Sequence, residues 1–121
     1  MISTDPRVAE ALKRGETIDI TTTGRHTGLP RRIELVYHNI GGRIVLSGRP
    51  GFPRGWIANL RANPGFTFHL KRSVTADLPA TGRVITERSE RERLLAPVAR
   101  LWRIDPAVMV ASAPLVEVTF D

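Results

Sequence analysis

The segment RRIELVYHNIGGRIVLSG, residues 31–48, constrains the fold more than any other stretch of the chain. Ile33, Leu35 and Tyr37 fall on one face of its first half with Val36 opposite, the period of two that a half-buried strand requires. Gly41 and Gly42 then supply two residues that tolerate positive φ, as a tight hairpin turn demands. RIVLSG returns as a second strand. Upstream, ETIDITTTG sets Ile18 and Ile20 against polar, β-branched neighbours and reads as a strand entering the same unit. A three-stranded antiparallel meander is therefore expected by Gly48.

The remaining punctuation adds helices and further strands. Ser3, Thr4 or Asp5 can cap a short first helix, with Pro6 in its first turn, Val8, Ala9 and Leu12 on one face and Gly15 as the stop. The Pro/Gly loop RPGFPRG leads into GWIANLRANPG, where Trp56, Ile57 and Leu60 have helical spacing and Asn63-Pro64-Gly65 ends the helix. FTFHLK alternates again, and ADLPATGRVITE reads as a strand that bends near Pro79 and Gly82. Ser89 and Glu92 have capping-box spacing ahead of a helix with Leu94, Leu95, Val98 and Leu101 on its apolar face and Pro97 inside it. Pro106 can start another helical turn, and LVEVTF closes the chain as a strand. About six strands without a βαβ rhythm predict an antiparallel sheet or barrel with peripheral helices, a mainly β, α+β fold.

At 121 residues the expectation is one domain, 1–121. No cysteine is present, which excludes disulfides, thiolate metal sites and cysteine nucleophiles. The three histidines show no metal-ligand spacing, so no metal is expected. Neither a signal-peptide core nor a bilayer-length apolar run occurs, and the expected location is cytoplasmic, with no integral membrane segment. The net charge of +6 is concentrated: residues 25–61 hold seven Arg against Glu34 alone. From Ser73 onward, six Arg face seven acids. A localised excess of this kind favours a localised anionic partner, and Arg is the better bidentate ligand for phosphate.

Three places in the charged window are candidates for chemistry. In the turn TTTGRHTGLPRR, Gly24 and Gly28 can turn backbone N–H groups toward an anion, with Arg25, His26, Thr27 and Arg31 as further donors. A hairpin tip with solvated arginines has the same composition. Ser47, Gly48 and Arg49 leave a strand where backbone amides can meet a ligand edge, although an ordinary strand exit reads alike. Trp56 and Asn59 lie three apart on one helical face, where Trp56 is either core or cofactor wall. There is no Gly-x-Ser-x-Gly elbow and no Gly-Lys-Ser phosphate loop.

TTTGRHTGLPRRIELVYH, then GGRIVLSG, then GWIANLRANPGFTFHL, resembles the deazaflavin-dependent nitroreductase family within the flavin and deazaflavin oxidoreductases. The likeness runs from about Ile18 to Trp102, with two separate motifs in the family's order. It implies a split β-barrel that binds coenzyme F420 and transfers a hydride to an electron-poor organic substrate of the nitro or ene type. By the same resemblance Gly24, Arg25, His26 and Thr27 line the phosphate end, with Arg31 as another anion contact. Ser47, Gly48 and Arg49 lie near the deazaflavin or its linker, and Trp56 and Asn59 complete the pocket. His26 stands where the family usually has Lys. Tyr37 is the sole tyrosine, so the proton donor is left among Ser47, Tyr37, a histidine and water. A homodimer is expected by analogy.

Two alternatives accompany that reading. The same scaffold can hold FMN, haem or a fatty acid in place of F420. A small basic nucleic-acid-binding domain would also use the charged window, but seven aromatics, few of them between basic residues, argue against nucleic acid.

Overall fold

The computed structural model describes residues 5–51 and 54–121. Six strands form one closed antiparallel barrel: β1 (Thr17–Thr23), β2 (Pro30–Ile40), β3 (Arg43–Ser47), β4 (Gly65–Leu70), β5 (Ala76–Val84) and β6 (Leu115–Phe120). Their order around the barrel is β1-β2-β3-β6-β5-β4, closed by the pairing of β1 with β4. Closure leaves no unpaired edge to be protected from other chains. The hairpin expected at Gly41-Gly42 is present, with φ of +60° and +92° at the two glycines and Ile40 paired to Arg43. Asn39 locks it by accepting from the Gly42 N–H at 2.8 Å.

Strand parity divides the apolar residues between two cores. Ile18, Ile20, Tyr37, Leu46, Phe68, Leu70 and Val116 fill the barrel interior, joined by Val8, Ala11 and Leu12 of helix α1 (Pro6–Leu12) and by Trp56 and Leu60 of α2 (Gly55–Ala62). Phe68 stands edge-on to both Tyr37 and Phe120, at 5.2 and 5.1 Å between ring centroids. The opposite parity of β3 and β6 sends Val45 and Leu115 outward. There they pack beneath α3 (Arg88–Trp102) and α4 (Pro106–Ser112) with Leu94, Leu95, Val98, Ala99 and Met109. β3 therefore reads as a continuous apolar run because both of its faces are covered.

Several local expectations are corrected. Asp5 is the cap of α1, accepting from the Arg7 N–H, while Ser3 and Thr4 lie outside the described residues. Ala11, not Ala9, completes the buried face of that helix, and it ends at Leu12, ahead of Gly15. α3 is capped by Glu87, whose carboxylate accepts from the Ser89 and Glu90 amides, so Ser89 lies inside the helix. Glu92 does not close a capping box but pairs with Arg88 one turn back at 3.0 Å. Ala99 takes the buried position expected of Leu101, which is 68% exposed. The reason is geometric: β3 and α4 lie on the Leu94–Leu95–Val98 side, and nothing among the described residues covers the Leu101 side.

Candidate functional site

The loop between β1 and β2 is held by its own backbone. The Gly24 N–H donates to Leu29 O at 2.8 Å, the Gly28 N–H donates to Gly24 O at 2.8 Å, and Thr27 Oγ1 accepts from the Leu29 N–H at 3.1 Å. Glycine is required at 24 because a Cβ there would stand 2.8 Å from Thr27 Oγ1 and 3.1 Å from Leu29 O. The loop is thus a compact, pre-formed turn whose Arg25, His26 and Thr27 are exposed residues.

Asn59 bolts this turn to α2. Its side-chain oxygen accepts from the Arg25 N–H at 3.1 Å and from Arg25 Nη1 at 3.3 Å, while its Nδ2 donates to Thr22 Oγ1 at 3.1 Å. Both Asn59 and Thr22 are buried. The first turn of α2 is thereby brought against the 24–29 loop, and a cleft of about 590 Å³ opens between them. Gly24, Arg25, His26, Thr27, Arg31, Trp56 and Asn59, all expected at the site, line it together. Thr22, Ile33, Arg54 and Gly55 line it as well and were not foreseen.

The electrostatics of the cleft are one-sided. α1, α3 and α4 each begin on a carboxylate cap, from Asp5, Glu87 and Asp105. α2 begins at Arg54 with no side-chain cap, and its first residues Arg54, Gly55 and Trp56 line the cleft, so the partial positive charge of its amino end faces the cleft without a carboxylate against it. Among the described residues Arg25, Arg31 and Arg54 make no ion pair with a carboxylate. Arg32, by contrast, is neutralised by Asp19 at 3.0 Å on the outer face of β1 and β2. The arrangement is an anion receptor built from guanidinium groups and a helix amino terminus.

Other expected residues lie elsewhere. Ser47 shares the outward parity of Val45, and its buried hydroxyl donates to Pro114 O at 2.9 Å. Arg49 turns away to lie over the Trp102 ring, 5.9 Å from its centroid. Gly48 touches the site through Arg54: a Cβ at Gly48 would stand 3.3 Å from that guanidinium. Tyr37 is at the other end of the β1–β2 ladder, where its hydroxyl donates to Ala11 O at 2.5 Å, and burial pushes its pKa up to about 12. The structure therefore does not bring Tyr37 to the cleft as a proton donor.

The remaining histidines are also placed apart. His69 on β4 lies between Asp77, at 2.6 Å from Nδ1, and the Thr21 hydroxyl, at 2.7 Å from Nε2. His38 is buried, its Nε2 lacks a partner among the described residues, and burial lowers its pKa. It meets the edge of Trp102 at 5.3 Å between centroids.

Arg54 also lines a second cavity, of about 510 Å³, with Ile57, Ala58 and Arg61 on one side and Val84, Ile85, Ala113 and Leu115 on the other. A charged cleft and a largely apolar cavity thus meet at one arginine. Such a pair suits an amphiphilic ligand with an anionic end and a less polar end.

The family model described as F420H2-dependent quinone reductase matches residues 2–111 of this chain. Among solved structures, the F420-H2 dependent reductase FDR-A is 21% identical, with a TM-score of 0.62 over 85% of this chain and 93% of its own. A NimC/NimA family protein from Clostridium acetobutylicum is 15% identical, with a TM-score of 0.66 over 94% of this chain and 78% of its own. A structure described as a domain-swapped dimer is 22% identical, with a TM-score of 0.61 over 85% of this chain and 79% of its own. These structural likenesses establish a shared fold.

Proposed function

Because the chain belongs to the F420H2-dependent quinone reductase family, we propose that its charged cleft holds the anionic end of F420 and that its acceptor is a quinone or a similarly electron-poor ring. The protein is an oxidoreductase with F420 as its cofactor. The observation that carries the site assignment is the convergence of Arg25, Arg31 and Arg54 on the one helix amino end among the described residues that no carboxylate caps. A phosphate or carboxylate group fits that donor set. When bound and reduced, F420 supplies a hydride.

The protein residues do the rest. Arg25, Arg31, Arg54 and the amides at the head of α2 neutralise and orient the anionic end. Asn59 touches no ligand in this reading; it holds Arg25 and the turn in place before binding, so less ordering is left to occur in the complex. Trp56 and Ile57 present apolar surface beside the cations and exclude water from the ring end. The one proton that completes a hydroquinone after hydride transfer comes from water, since Ser47 and Tyr37 are engaged with backbone carbonyls. Nitro compounds are a second acceptor class for the same hydride. The proposal also takes the protein as a homodimer, which the fold shared with a domain-swapped dimer supports; light scattering that returns a monomer mass would remove that part.

Parallel fluorescence titrations with F420 and FMN test the reading, followed by oxidation of reduced F420 with menadione or a nitroaromatic as acceptor. Saturable F420 binding and quinone-dependent turnover are expected. Binding of FMN without binding of F420 would overturn it.

A further inference from the structure

Of the three histidines, His26 is the one that neither packing nor a carboxylate encloses. His69 is fixed between Asp77 and Thr21, and His38 is buried against the edge of Trp102. His26 lines the charged cleft as an exposed residue, and neither of its ring nitrogens has a partner among the described residues. We propose that His26 is the proton-dependent member of the anion grip, so that the cleft takes up a proton together with its anionic ligand and binds F420 more tightly as pH falls. The inference rests on the function proposed above and adds to it how affinity at that site is regulated.

The backbone fixes where the ring can act. The bonds from the Gly24 N–H to Leu29 O and from the Gly28 N–H to Gly24 O close the loop around His26. Asn59 ties the neighbouring residue to α2 through the Arg25 N–H at 3.1 Å. The His26 backbone is thus held at the cleft, and its side-chain torsions are left to adjust. Every charged group that faces it there is a cation: Arg25 from the loop, Arg31 from β2 and Arg54 at the head of α2. β1 contributes the uncharged Thr22, and no Asp or Glu among the described residues lines the cleft.

The guanidinium groups stay charged at every working pH, whereas imidazole is the side chain that changes charge near neutrality. In the free protein a proton on His26 adds a fourth positive charge to three that no acid in the cleft offsets. With a phosphate or carboxylate bound, the same proton completes an ion pair, and both ring nitrogens become donors. The ligand therefore favours the charged ring and its absence disfavours it. Linkage then requires affinity to rise as the proton is taken up: the gain is complete in acid and is lost as pH rises through the titration of His26 in the complex. The arginines and the head of α2 still hold the ligand on the alkaline side. For an exposed contact screened by water and salt, the gain is about threefold to tenfold.

The test compares F420 dissociation constants of the full-length wild type, His26→Lys and His26→Gln between about pH 5.5 and 8.5. Taking the ratio of two proteins at the same pH cancels any titration of F420 itself. His26→Lys carries a permanent cation, so its affinity should match the wild type in acid and exceed it about threefold to tenfold in alkali. His26→Gln cannot charge, so it should match the wild type in alkali and fall about threefold to tenfold below it in acid. In NMR spectra of the wild type, saturating F420 should move the titration of the His26 ring signals to higher pH. Ratios that stay constant across the pH range, or a His26 titration that F420 leaves in place, would overturn the inference. Absence of saturable F420 binding by the wild type at any pH would instead overturn the reading beneath it.

Discussion

Replacing Asn59 separates pre-organisation of the anion turn from direct contact with the ligand. Asn59→Ala removes three hydrogen bonds, to the Arg25 amide, the Arg25 guanidinium and Thr22 Oγ1. Each is worth about 1 kcal/mol net, and the Thr22 hydroxyl, only 2% exposed, loses its partner. The sum is a destabilisation of about 2–4 kcal/mol, or about 8–16 °C in Tm for a chain of this size. With the turn released, Arg25 must be ordered by the ligand, and F420 affinity should fall about tenfold although Asn59 contacts no ligand. Asn59→Asp isolates the two effects. Its carboxylate still accepts from Arg25, and the Thr22 hydroxyl can reverse and donate to it, so Tm should stay near the wild-type value. It adds a negative charge to the cleft, so F420 binding should weaken nonetheless. Scanning calorimetry and F420 titration on the three proteins decide the matter. Wild-type F420 affinity in both variants would refute the assignment of the turn as the anion grip, and an unchanged Tm in Asn59→Ala would refute Asn59 as its bolt.

Other consequences follow from charge and burial. Arg54→Ala should weaken F420 binding and flatten its dependence on salt, whereas Arg49→Ala should leave both near wild type, since Arg49 is engaged with Trp102; titrations at three salt concentrations check the contrast. His38 is held neutral by burial, so the unfolded chain binds its proton more readily. The stability tied to that group is complete above its ordinary pKa of 6.5 and is lost as pH falls through the lower folded value. His38→Leu should therefore show a smaller loss of Tm between pH 8 and 5, and a slope equal to the wild type would contradict this. Glu90 is held down at about 2, first by Arg83 and then by Arg43. Its contribution is present above 4.5 and lost as pH falls toward 2, so the Tm of Glu90→Gln should lie below the wild type at neutral pH and converge with it in acid.

Strand parity made most of the barrel legible in the sequence. The same parity also contained the fate of Ser47, which shares the face of Val45 and so points under Pro114 rather than into the cleft. Tyr37, on the inward face with Ile33 and Leu35, was bound for the core by that rule. The glycine turn and the head of α2 were readable as separate segments, and the hydrogen bonds of Asn59 explain why they act as one site. Arg54 was not readable. It sits in a Pro/Gly loop without periodicity, and its position depends on where α2 docks across the barrel end. The contact of Arg49 with Trp102 and the exposure of Leu101 were hidden for a related reason: each depends on how α3 lies on the outer face of the barrel, a contact between residues far apart in the chain.

The central claim is that Arg25 and Arg54 grip the anionic end of F420 at the uncapped head of α2. Titration of the Arg25→Ala, Arg54→Ala double variant with F420 across a salt series tests it most directly. The account predicts saturable wild-type binding that weakens steeply with salt, and double-variant binding at least about tenfold weaker with a shallower slope. Equal affinity and equal salt slope in the two proteins would contradict it.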